Sequence, residues 1–166
     1  MMELIKMYLE ELDQEALTSR KMLERIPEDK FGWKPHEKSM NIKSLATHLA
    51  DLHSWIGLVL STDELDFSNM PYQVDDVNTP PELLSLLEKS LAKSRAQLVP
   101  ENETKLQEKW TLRNGDQIYD VSPKYAVIRM SLHQIVHHRA QLGVYLRLLD
   151  IPIPGSYGPS ADENTF

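Results

Sequence analysis

Four stretches of this chain repeat apolar residues every three or four positions, and each is bounded by proline or a capping residue. That periodicity is the strongest constraint on the fold. It commits most of the length to amphipathic helices that must bury one face against each other. The first stretch covers about residues 2–26, with Leu4, Met7, Tyr8, Leu12, Leu17 and Leu23 as a loose stripe that stops at Pro27. Residues 27–40 read as a loop broken by Pro27, Gly32 and Pro35. The second stretch covers about 41–60, where Ile42, Leu45, Leu49, Leu52, Ile56 and Val59 share one face and Ser39 or Asn41 could cap the start.

Residues 62–79 read as a connecting loop. Thr79-Pro80-Pro81-Glu82 is a capping box with proline in the first turn, opening a third helix that runs to about Val99. Its core candidates are Leu83, Leu84, Leu87, Leu91 and Leu98. Between 104 and 119, Trp110, Leu112, Ile118 and Tyr119 flank Asn114-Gly115, a pair that favours a type I′ hairpin turn. A short β-hairpin there would be an appendage, since a lone hairpin is marginal. Ser122-Pro123 offers a cap and a first-turn proline for the last and longest helix, which reaches Leu149 and spans roughly 40 Å. The prediction is one domain over residues 1–166, an all-α four-helix bundle with crossover connections.

Composition narrows the function. With 18 basic and 25 acidic residues the net charge is −7, so the surface repels phosphate backbones and nucleic acid is not an expected partner. A small molecule or another protein is the better expectation. No run of about 18 apolar residues occurs, so no membrane span is expected. The acidic residues among the first apolar ones do not read as a secretory signal, and a cytoplasmic location is expected. Cysteine is absent, which excludes disulfides, thiolate metal ligands and a cysteine nucleophile. Any metal must be held by nitrogen and oxygen.

The histidines are the residues that carry chemistry: His36, His48, His53, His133, His137 and His138. Three of the six fall between 133 and 138, on the last helix. His48 stands three after Leu45 and four before Leu52, on or beside the apolar face, and so points into the bundle. On the last helix two pairs have ligand spacing: His133 with His137, and Gln134 with His138. Adjacent His137 and His138 diverge by about 100° and cannot aim at one centre. The ordinary alternatives are a hydrogen-bonded core imidazole at His48 and a solvated polar flank on the last helix. No His-Glu-x-x-His, Gly-x-Ser-x-Gly or phosphate-binding loop is present.

The run His137-His138-Arg139-Ala140-Gln141-Leu142-Gly143-Val144-Tyr145-Leu146-Arg147 resembles the last-helix pattern of DinB-like (DinB/YfiT) proteins. The tail from Pro152 to Asp162, the run Trp33-Lys-Pro-His-Glu-Lys-Ser-Met40, Leu45-Ala-Thr-His48 and Thr62-Asp-Glu-Leu-Asp-Phe67 extend the resemblance across most of the chain. It implies a four-helix bundle with a three-residue metal site. His48 matches the ligand on the second helix, and His138 matches the histidine before arginine. The third position falls on Gln134, where many members carry histidine and some glutamate. An amide oxygen is a neutral, weaker ligand. His133, one residue off, could take its place if the helix were locally distorted, for example by a π-bulge. His48 with His133 and His137 is the alternative set.

Nickel, zinc, iron or manganese would suit such ligands. The resemblance implies a metal-dependent enzyme, either a transferase using a low-molecular-weight thiol or a metal-assisted hydrolase. The rival is a non-catalytic stress-response or binding protein with a degraded site. His133, His137 and His53 are the candidate bases, by nearness in sequence. Arg139 and Gln141 could pair with loop residues or touch substrate, and Trp33, Trp55 and Tyr157 are assigned no catalytic role. A homodimer is the default expectation for the assembly.

Overall fold

The computed structural model describes residues 3–69 and 76–164. Among them the chain forms α1 (Leu4–Leu23), α2 (Ile42–Leu52), α3 (Trp55–Ser61), β1 (Glu64–Asp66), α4 (Pro80–Arg95), β2 (Lys109–Asn114), β3 (Gln117–Pro123) and α5 (Lys124–Leu148). Short 3₁₀ segments at Glu28–Lys30 and Pro100–Gln107 join them. The fold is mostly helical with a small sheet rather than wholly α. α5 packs on α1, α2 and α3, and α4 packs on the same three from its own side. No helix among the described residues is long and apolar enough to cross a membrane.

The local signals at helix starts hold in two cases. Asn41 caps α2, its Oδ1 accepting from the Ser44 backbone N–H at 2.8 Å. The capping box closes on α4, where Thr79 Oγ1 accepts from Glu82 N and Glu82 Oε2 accepts from Thr79 N. At α5 the expectation fails. Pro123 itself is the capping residue, with no side-chain bond, and Lys124 N–H instead reaches Glu108 O at 2.8 Å. α1 has no local cap either. The Glu103 carboxylate supplies one from the far 3₁₀ segment, accepting from Leu4 N and Ile5 N at 3.0 Å each.

The stripe expected on α1 holds at Leu4, Met7, Tyr8, Leu12 and Leu23, which are buried or packed against the core, and departs at Leu17. Ile5, Tyr8, Leu12, Ala16, Ser19 and Leu23 are buried, while Leu17 is 52% exposed. Five residues after Leu12 is about 140° around the helix, off the face that meets the core.

The second helix breaks at His53 and Ser54, with neither proline nor glycine at the break. In a continuous helix Gly57 N–H would donate to His53 O. Here the Ser94 hydroxyl, wholly buried on α4, stands between them. It donates to His53 O at 2.6 Å and accepts from Gly57 N–H at 2.9 Å. Ser54 N tightens onto Asp51 O at 2.7 Å, one residue short of the α-helical partner. A side chain inserted into the ladder is a recognised cause of a kink. Gly57 makes this approach feasible, because a Cβ there would lie 2.7 Å from Lys93 O. Ser94→Ala is expected to cost about 2 kcal/mol in urea unfolding, through two buried backbone groups left unpaired. A cost under about 0.5 kcal/mol would mean the helix simply recloses.

The hairpin is real but is not an appendage. Residues 64–66, inside the run read as a loop, form a third strand, parallel to β2 with Leu65 opposite Leu112. β2 and β3 pair antiparallel, and Tyr119 is the extra residue of a bulge between the Leu112–Asp120 and Arg113–Ile118 pairs. Trp110 is 1% exposed and donates its Nε1–H to Thr62 Oγ1 at 3.0 Å, anchoring the sheet to the bundle. The turn is not type I′. Its central residues are Gly115 and Asp116, between the paired Asn114 and Gln117, and only Gly115 has positive φ, at 57°. A type I′ turn needs positive φ at both. The buried Asp66 carboxylate fixes this turn, accepting from Gly115 N, Ser68 N and Oγ, and Asn69 Nδ2 at 2.8–2.9 Å. These bonds, Gly115 foremost, hold its pKa down to about 2.

Candidate metal centre

His48 and His138 meet across the bundle interior. Their ring centres lie 4.8 Å apart, edge to face at 72°. Two imidazoles on one ion, each at about 2.0–2.1 Å, put their ring centres roughly 5 Å apart. The observed separation of the ring centres falls close to that value. The pair is placed by antiparallel packing of α2 and α5. Two turns beyond His138, Tyr145 meets Trp33 at 5.7 Å, and Trp33 O accepts from Ile42 N at the start of α2. Trp33 and Tyr145 thus close the same α2–α5 seam from the loop side.

Both rings are half-buried, and each has a pKa below the ordinary imidazole value. Burial is the main cause at both, and the opposing His138 adds to it at His48. Neutral rings at pH 7 keep a lone pair free for a cation, which is what ligation requires.

Gln134, one turn before His138 on the same face, is half-buried. α5 is an unbroken α-helix from Lys124 to Leu148, so no π-bulge brings His133 into register in its place. His133 and His137 are exposed, although the His137 ring touches that of His138 at 5.0 Å. No group of three or more His, Cys, Asp or Glu residues with ligand geometry occurs among the described residues. A His-His-Gln set, with its amide third member, is consistent with that. Two imidazoles and one amide oxygen fit a divalent ion of intermediate hardness.

Two residues near this histidine pair have roles the sequence left open. Arg139 is 2% exposed and serves structure. It pairs with Glu15 at 2.5 Å, donates to Glu15 O at 3.1 Å and to Tyr157 OH at 2.9 Å. Tyr157 in turn donates to Glu15 Oε1 at 2.8 Å, so this cluster fastens α1, α5 and the C-terminal tail together. Gln141 contacts His138, with its Oε1 3.0 Å from the ring Nδ1. His53 is wholly buried with Nδ1 on Leu49 O at 2.9 Å, and His36 lies exposed on the loop.

A helical bundle that brings imidazoles from two antiparallel helices together in its interior defines a class of bundle proteins whose sites are built between helices. Within that class the chain belongs to the DinB family, whose family model matches residues 1–165. A DinB-like protein from Bacillus subtilis is 17% identical, with a TM-score of 0.68 over 96% of this chain and 99% of its own. A structure assigned to the DinB family from Exiguobacterium sibiricum 255-15 is 19% identical, with a TM-score of 0.70 over 93% and 97%. A DinB-like protein from Bacillus cereus ATCC 10987 is 15% identical, with a TM-score of 0.64 over 90% and 95%. At these identities the likeness shows the fold. No curated protein matches the chain.

Proposed function

We propose that this DinB-family chain is a metal-dependent enzyme acting on a small molecule, with His48, His138 and Gln134 as the ligands. The observation that carries the reading is the meeting of two neutral, half-buried imidazoles from separate helices at 4.8 Å. A divalent ion such as nickel, zinc, iron or manganese supplies Lewis acidity there and lowers the pKa of a bound water or thiol towards neutrality. Three protein ligands leave positions open for substrate. Transfer by a low-molecular-weight thiol is the leading reaction and hydrolysis the second. The chain has no cysteine of its own, so a thiol nucleophile has to come from a cosubstrate.

Gln134 favours a second reading, a binding protein that keeps the bundle but holds metal weakly. Both readings share one test. Metal analysis of protein purified without chelator is expected to find stoichiometric metal in the wild type and none in His48→Ala or His138→Ala. His133→Ala and His137→Ala are expected to retain it, and Gln134→His to bind more tightly. Stoichiometric metal surviving the double His48→Ala, His138→Ala variant would refute the site. Substoichiometric metal in the wild type, without turnover of any thiol or ester substrate, would favour the second reading.

A further inference from the structure

We propose that Gln141 is a positioning residue that fixes which nitrogen of His138 is free to bind. Its functional meaning rests on the metal reading above; its structural half stands on geometry alone. Gln141 Oε1 lies 3.0 Å from His138 Nδ1. A neutral imidazole has one N–H and one lone pair, and an amide oxygen can only accept. The contact therefore holds the proton on Nδ1 and leaves the lone pair on Nε2. Gln141 follows His138 by three residues, so the helix itself sets the contact without help from another element. The reverse amide orientation would direct an N–H₂ donor at Nδ1 and put the proton on Nε2. The only lone pair would then be consumed by the amide, leaving nothing to ligate.

Ligating histidines commonly donate their second N–H to an oxygen, and removing that oxygen typically costs about 10–100-fold in metal affinity. Most such partners are carboxylates, backbone carbonyls or waters. Here the partner is a side-chain amide on the ligand's own helix. Gln141 is exposed, so its replacement removes the contact and leaves the core intact.

The test uses the whole chain, metal-free, with ¹⁵N-labelled histidine at pH 8, where ring nitrogen shifts distinguish the two tautomers. Wild-type His138 is expected in the Nδ1–H form. Gln141→Leu is expected to shift it towards Nε2–H and to weaken zinc binding about 10–100-fold. Gln141→Glu, which keeps an acceptor, is expected to restore both. An Nε2–H wild type, or a tautomer unchanged in Gln141→Leu, overturns the proposal. A shifted tautomer with undiminished zinc affinity overturns its functional half. A shifted tautomer in a chain whose wild type takes up none of zinc, nickel, iron and manganese supports the positioning role and refutes the metal reading instead.

Discussion

Replacing Arg139 with alanine is expected to cost about 3–5 kcal/mol of stability. The guanidinium is buried, always charged, and paired with a Glu15 carboxylate that is itself only 6% exposed. Removing it strands that carboxylate in the core with Tyr157 OH as a remaining donor. The pair as a whole is a weak source of stability, because desolvation offsets attraction; breaking it is what costs. Arg139→Lys is expected to recover only part of the loss. A single ammonium cannot span Glu15 O, the Glu15 carboxylate and Tyr157 OH as the planar fork does. Urea unfolding of both variants measures this, and a loss below about 1 kcal/mol for Arg139→Ala would show that water replaces the guanidinium.

Lowering the pH from 7.5 to 4.5 is expected to remove about 2–3 kcal/mol through His53 alone. Its ring is wholly buried, and burial pushes its pKa from the ordinary 6.5 to about 4. Above pH 6.5 folded and unfolded chains both hold it neutral, so it adds no slope. Between 6.5 and about 4 the unfolded chain takes up a proton that the folded chain refuses, and stability falls by up to about 1.4 kcal/mol per unit. Below about 4 both forms are protonated and the loss is complete. His48 and His138, also depressed, act in the same direction. The His53 share is the difference in slope between wild type and His53→Gln, read by urea unfolding at several pH values. Parallel slopes would refute it.

What the sequence revealed depended on whether the determining partner was near in the chain. The Thr79–Glu82 box and the Asn41 cap are three-residue contacts and were legible. The stripe from Ile42 to Val59 was legible too, and all six of its residues are buried. The break inside it was not, because Ser94 lies 37 residues from Gly57 and nothing in a serine announces a wedge. β1 is three residues long, too short for an alternation to show, and its pairing partner lies across two elements. On the candidate site, periodicity placed His48 on the inner face but could not choose between His137 and His138. The family resemblance chose His138, whose ring lies 4.8 Å from that of His48.

The Glu15–Arg139–Tyr157 cluster also orders events in time. Its bonds span 124 and 142 residues, and the Glu103 bonds to the start of α1 span 98 and 99. During synthesis α1 emerges well before α5, and its buried carboxylate lacks its arginine until that residue is translated more than a hundred residues later. At about 5–20 residues per second, that leaves the helix waiting for seconds beside the ribosome exit. Until then α1 can pack on α2 and α4, but its carboxylate stays without its arginine.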